Sequence, residues 1–130
     1  MNQTAKTALR RLKRRAEFLR AARGSRAGRS AFGMQVVPAP HDQPGLGLTV
    51  TKKVGNAPER NRIKRRLRAA AAACADDFRP GHDYVVLARR EALSLPFAKL
   101  VAEMGGLIAR VHADRAPDKR NTSGRGLRNA

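Results

Sequence analysis

The chain has 130 residues, enough for one domain with one modest core of two packed layers. It carries 28 Lys and Arg against 10 Asp and Glu, a formal net charge of +18; such an excess repels itself in the compact state and attracts polyanions, nucleic acid first among them. No apolar run is long enough to span a bilayer, the polar stretch before Leu9 has no apolar core of a secretory signal, and the single Cys74 excludes an intramolecular disulfide, so a cytoplasmic location with no membrane partner is expected.

Residues 1–8 read as a flexible N-terminus. "ALRRLKRRAEFLRAARG" (Ala8–Gly24) predicts a first helix ended by Gly24, with Leu9, Leu12, Ala16, Leu19 and Ala22 as a narrow core stripe. "SAFGMQVVPAP" (Ser30–Pro40) predicts a strand closed by prolines, and "HDQPG" a turn. "LGLTVTKKV" (Leu46–Val54) alternates, with Leu46, Leu48 and Val50 on one side, as a half-buried strand does. A helix follows from about Ala57 to Ala75, then a turn at "RPGHD" (Arg79–Asp83) and a third strand at "YVVLAR" (Tyr84–Arg89). A last helix runs over Ser94–His112 on a stripe of Phe97, Leu100, Val101, Met104, Leu107, Ile108 and Val111. From Ala113 the chain is polar and basic and reads as a disordered tail, 113–130. The order helix, strand, strand, helix, strand, helix predicts an α+β fold: a small central sheet packed with helices in two layers.

The middle helix concentrates the charge. Asn56 can cap it, with Glu59 three residues on completing a capping box, and Pro58 falls in the first turn where its missing N–H costs nothing. Ile63, Leu67, Ala70 and Cys74 form the stripe that must face the sheet. Arg60, Lys64 and Arg68 lie on one ridge with Asn61 and Arg65 beside it, while Arg62 and Arg66 lie on the opposite flank. An ordinary solvated face mixes signs, because like charges at this spacing repel by a few tenths of a kcal/mol each. Unpaired arginines on a rigid ridge suit phosphates, since the guanidinium fork binds two oxygens and stays charged.

The first helix raises a second possibility. Phe18 points to the edge of its stripe, among Arg11, Arg14 and Arg15. A ring among arginines can stack a base while the arginines hold phosphates; it can equally widen the core stripe. Nothing in the chain resembles a catalytic constellation. Asp76 and Asp77 read as a solvated loop, His82 sits in a turn, Cys74 lies on the apolar stripe, and His41, His82 and His112 are scattered without zinc spacing.

"KKVGNAPERNRIKRRLR" closely resembles the signature of the bacterial ribonuclease P protein family. "RLKRRAEFLRAARG" resembles the family's opening helix, "GLGLTVTKKVGNA" its second strand, "DYVVLARREA" the following strand and "FAKLVAEMGGLIARV" its last helix. The resemblance covers roughly residues 9–112, taken as one ribonuclease P protein domain. It implies an α/β sandwich with a left-handed βαβ crossover, against the usual right-handed rule, similar to domain IV of elongation factor G. It implies the protein subunit of an endoribonuclease that removes the 5′ leader of precursor tRNA. The catalytic centre and most of the Mg²⁺ then belong to the RNA subunit, with no obligate protein partner and no DNA.

Residue by residue, the resemblance assigns Arg60, Arg62, Lys64, Arg65, Arg66 and Arg68 to phosphates of the RNA subunit, with Asn61 as a hydrogen-bonding residue and Lys52 and Lys53 on the same basic surface. It assigns Phe18 to stack on the leader in a cleft between the first helix and the sheet, with Arg11, Lys13 and Arg14 flanking it and Phe32 and Gln35 offered by the first strand. A second aromatic, which some relatives carry one turn after Phe18, is replaced here by Ala21 and Ala22. The rival readings are a ribosomal or other structural RNA-binding protein and a DNA-binding protein; the latter lacks a helix-turn-helix partner before the basic helix.

Overall fold

The computed structural model describes residues 9–28 and 31–113. In chain order they form β1 (Arg10–Arg11), α1 (Arg15–Ala21), β2 (Ser25–Gly28), β3 (Phe32–Pro38), β4 (Gly45–Thr49), α2 (Ala57–Ala73), β5 (His82–Ala88) and α3 (Phe97–Ala113), with 3-10 turns at Lys52–Val54, Ala75–Asp77 and Arg90–Leu93. The strands make one mixed sheet in the order β1-β4-β5-β3-β2. β1 and β5 both run parallel to β4, whereas β3 is antiparallel to β5 and to β2. α2 is therefore the crossover between the neighbouring parallel strands β4 and β5. The expected α+β class, a small central sheet packed with helices, describes this architecture, with α1 adding a thin layer on the face opposite α2 and α3.

Side chains alternate across the sheet and divide it into two unequal faces. Phe32, Met34 and Val36 of β3, Leu46 of β4, and Tyr84 and Val86 of β5 point to one side, where Ile63 and Leu67 of α2 and Leu100, Met104 and Leu107 of α3 cover them. Gln35 and Val37, Gly45 and Gly47, and Asp83, Val85 and Leu87 point to the other. That side carries only α1 and a small cluster: Leu12, Ala21 and Val85 buried, with Phe18, Val37 and Leu87 half-covered around them.

The capping box predicted for α2 forms: Asn56 Oδ1 accepts from the Glu59 N–H and a Glu59 carboxylate oxygen accepts from the Asn56 N–H, each at 2.9 Å. Its predicted stripe is buried at Ile63, Leu67 and Ala70.

The first helix differs from expectation. It starts at Arg15, because the residues before it are drawn into the sheet: Arg10 and Arg11 pair with Gly45 and Leu46, and the Leu12 N–H donates to the Leu46 carbonyl at 3.0 Å. Glu17 then accepts from the Lys13 and Arg14 N–H groups at 3.1 and 3.0 Å, and its carboxyl is held below its ordinary value, chiefly by the Arg14 N–H. The later start rotates the stripe. Ala16, Leu19 and Ala22 are exposed, and Phe18 and Ala21 face the sheet.

Smaller corrections follow the same logic. Ser25–Gly28 adds an edge strand, β2, that alternation alone did not reveal. β4 stops at Thr49, so Lys52 and Lys53 lie in a 3-10 turn rather than at a strand end. β5 begins at His82, which places Asp83 inside the sheet. Phe97, expected on the core stripe of α3, is 44% exposed at its first turn. The tail expected from Ala113 and the flexible segment 1–8 lie outside the described residues, except that Ala113 ends α3.

Candidate nucleic-acid interface

α2 presents its charge as the spacing predicts. Asn61, Arg62, Lys64 and Arg65 are exposed, and Lys52 and Lys53 stand exposed in the turn before it. Glu59, the acid nearest this ridge, is engaged elsewhere. Arg90 donates to its two carboxylate oxygens at 2.8 and 3.2 Å and also to the Val54 carbonyl at 2.9 Å. The Arg90 contact, helped by the Asn56 N–H, pulls the Glu59 carboxyl down to about 2. Glu59 therefore stays charged while neutralising none of the α2 ridge. Arg90 escaped the sequence reading because its partner lies 31 residues away.

Not every arginine of α2 is available. Arg60 is half-buried and donates to the Gly55 carbonyl at 2.7 Å, closing the turn into the helix. Arg66 is half-buried and donates to the Leu95 carbonyl, stapling the segment before α3 onto α2. These two side chains hold structure with at least part of their donor set. Arg68 is half-buried as well; burial first, then the charge of Arg11, hold its guanidinium below its ordinary value.

The opposite face is built differently. Phe18 lies over Gly47: a Cβ added there would sit 2.7 Å from two carbons of its ring. Glycine at this position is what lets the ring approach the sheet. The ring is half-buried, so it belongs to the small cluster and still reaches solvent. Beside it Asp83, fully buried, accepts from Arg10 of β1 and, at 3.0 Å, from Arg20 of α1. One carboxylate thus ties the edge strand and the helix to β5. Gln35, also expected to meet the leader, shares this face in register with Val85 but is buried beneath its neighbours. Phe32, expected to meet the leader, cannot do so. It is fully buried on the other side of the sheet, beneath α2 and α3, because its position in β3 has the parity of Met34 and Val36.

An open pocket of about 560 Å³ lies at the β1 edge, lined by Arg10, Arg11, Lys13, Arg14, Glu17 and His41. Lys13 and Arg14 are thereby brought to one rim with Arg11. The groups of ordinary nucleophilic chemistry are otherwise occupied. Cys74 donates to the Ala70 carbonyl at 3.3 Å, and burial, then the charge of Asp77, push its thiol up to about 11. His112 meets the Tyr84 hydroxyl at 2.5 Å and packs edge-on to His82 with ring centroids 4.7 Å apart, fastening the end of α3 to β5. Among the described residues no three His, Cys, Asp or Glu side chains converge to hold a metal, and no helix is long and apolar enough to cross a membrane.

A small mixed sheet with a heavily packed side, a thinly covered side and a basic crossover helix defines a compact α+β protein with a strongly cationic surface. The family model for ribonuclease P matches residues 7–112. The chain is 40% identical over 122 residues to the ribonuclease P protein component of Brucella suis, covering 86% of each sequence, and 40% identical over 112 residues to that of Ruegeria pomeroyi, covering 80% of this chain and 87% of the relative. Its fold is similar to the RNase P protein of Staphylococcus aureus (TM-score 0.68, 28% identity, 80% of this chain and 98% of that one) and to that of Thermotoga maritima (TM-score 0.68, 25% identity, 78% and 96%). The chain belongs to the bacterial ribonuclease P protein family and is a protein subunit of that tRNA-processing ribonucleoprotein endonuclease. The ribosomal alternative finds no support among these matches.

Proposed function

We propose that the two faces of the sheet serve two RNAs. α2 binds the ribonuclease P RNA through Arg62, Lys64, Arg65, Asn61 and the turn lysines Lys52 and Lys53. The α1 face receives the 5′ leader of precursor tRNA, with Phe18 stacking a base over Gly47 and Lys13 and Arg14 holding its phosphates. The observation that carries this reading is the exposed basic ridge of α2, whose nearest acid, Glu59, is committed to Arg90. A surface left with that much uncompensated charge gains most from a polyanion, and its binding is strongly salt-dependent through counterion release.

The protein's part is positioning. By neutralising phosphates it lowers the repulsion between catalytic RNA and precursor, and its second face adds contacts that a mature tRNA, lacking the leader, does not make. The donor set among the described residues does not fit a protein-held Mg²⁺: the buried carboxylate Asp83 is taken by two arginines, and no acid cluster of those residues stands beside it. Mg²⁺ is assigned to the RNA subunit and the substrate, and the protein works in the cytoplasm without a second protein.

Reconstitution tests this. Purified protein mixed with a bacterial ribonuclease P RNA at low Mg²⁺ should cleave precursor tRNA at the leader junction, while protein alone and RNA alone at the same Mg²⁺ do not. Cleavage by the protein alone, or no gain over RNA alone beside a working control protein, would overturn it.

A further inference from the structure

The chain has four Phe and one Tyr. Phe32, Phe78 and Tyr84 are fully buried, and Phe18 is half-buried over Gly47. Phe97 is the one ring of the five that is exposed, at 44%. It stands in the first turn of α3, three residues ahead of Leu100, where the helix has not yet settled into the core. A phenylalanine left this open to water forgoes much of the burial that draws large apolar side chains inside.

The fold sets this ring beside the second flank of α2. Arg66 donates to the carbonyl of Leu95, two residues before Phe97. Arg62 precedes Arg66 on that flank by about 6 Å along the helix axis and is exposed. Lys99, two residues after the ring, is exposed as well. Beneath them Ile63 and Leu67 of α2 share one core with Leu100 and Met104 of α3. Glu91 is the one acid of the turn Arg90–Leu93 that leads into this segment. An exposed ring therefore lies in cationic surroundings, at the border of the basic helix.

We propose that Phe97 stacks an unpaired base of the ribonuclease P RNA, with Arg62 and Lys99 holding the phosphates of that strand. The site rests on the RNA-binding reading above and extends the α2 interface onto the start of α3. A nucleotide matches both halves of this surface: its base covers the ring, and its phosphate answers the cations. The base must stand outside a duplex, because a paired base does not offer its face to a side chain. The Arg66 staple is what holds the ring in place beside the flank, so Arg66 acts here as a positioning residue.

The test uses the full chain with Phe97→Leu and Phe97→Trp. For each, affinity is measured against salt concentration, first for ribonuclease P RNA alone, then for precursor tRNA binding to the assembled holoenzyme. Leucine keeps the apolar bulk and removes the ring, so Phe97→Leu should weaken binding of the RNA subunit by about tenfold. The slope of log affinity against log salt should stay as in wild type, because no charge is removed. Phe97→Trp should keep the affinity. It also introduces the chain's only tryptophan, whose emission should change when the RNA binds, as a stacked base requires. Unchanged affinity in Phe97→Leu overturns the proposal, as does an emission indifferent to RNA. A loss confined to precursor tRNA would put the substrate on the ring and overturn the assignment to the catalytic RNA.

Thermal denaturation of the free protein supplies the second readout. An exposed ring contributes little to the core, so Phe97→Leu should move the midpoint by no more than about 3 °C. A larger fall would make Phe97 part of the core and overturn the proposal. Arg65→Ala is the control. If wild type binds the RNA and Arg65→Ala weakens binding while Phe97→Leu does not, only the stacking site fails. If wild type does not bind, the RNA-binding reading itself fails.

Discussion

The two faces of the sheet are built on different terms. Under α2 and α3, large side chains such as Phe32, Met34, Tyr84, Ile63 and Leu107 are fully buried, and the polar work is done at the rim by Asn56, Glu59 and Arg90. Under α1, a two-turn helix covers a floor of Gly45, Gly47 and Val85, and a single carboxylate, Asp83, holds the layer down through Arg10 and Arg20. The first face owes its shape to hydrophobic burial, so its helix can spend its outer surface on unpaired charge. The second has little apolar area to spare and depends on an ion-paired tether, which leaves Phe18 half open to solvent. Stability and ligand contact are separated on the α2 side and entangled on the α1 side.

Breaking the tether should have the largest effect. Asp83→Ala strands two arginines beside a buried site and is expected to cost about 3 kcal/mol, measured by denaturant unfolding; a loss below 1 kcal/mol would show that burial alone holds α1. Next comes Gly47→Ala. Its Cβ meets the Phe18 ring, so the ring must shift, at a cost of about 2 kcal/mol and with reduced preference for precursor over mature tRNA. Unchanged stability and preference would mean that the ring does not rest on the sheet.

On the other face the expected effects are smaller and leave the α1 side alone. Asn56→Ala removes the α2 cap and should cost about 1 kcal/mol, without altering precursor preference. Acid titration sharpens the contrast further. The folded Glu59 carboxyl lies at about 2, below its ordinary 4.5, so its contribution is fully present above pH 4.5 and is lost as pH falls toward 2. Glu59→Gln should therefore flatten the fall in stability between those limits, and an unchanged acid limb would remove the Arg90 pair from the account.

What could be read from the sequence follows this division. α2 announced its start, its buried stripe and its basic surface through short-range rules: a cap three residues from its partner, a stripe at helical spacing, a run of arginines. The α1 side rests on contacts between distant residues. Pairing of Arg10 and Arg11 with Gly45 and Leu46 took the first residues out of the helix, rotated its stripe and turned Phe18 onto Gly47. Asp83 read as part of a turn because the strand pairing that buries it, opposite Val37 and Gly45, lies in other segments. Phe32 was misplaced for a simpler reason: in a strand covered on both sides, hydrophobicity does not tell which face a residue takes. Arg60 and Arg66 show the corresponding limit within α2, since a charge run does not reveal which of its members turn back to cap a carbonyl.

The central claim is that the two faces bind different RNAs. The most direct test compares Phe18→Ala and Arg65→Ala in one binding experiment, measuring affinity for ribonuclease P RNA and the preference of the assembled holoenzyme for precursor over mature tRNA. The account predicts that Phe18→Ala loses the preference while keeping RNA-subunit affinity, and that Arg65→Ala weakens RNA-subunit binding while the preference of the complex that still assembles is kept. If both substitutions change both quantities alike, the faces do not divide the work and the account is wrong.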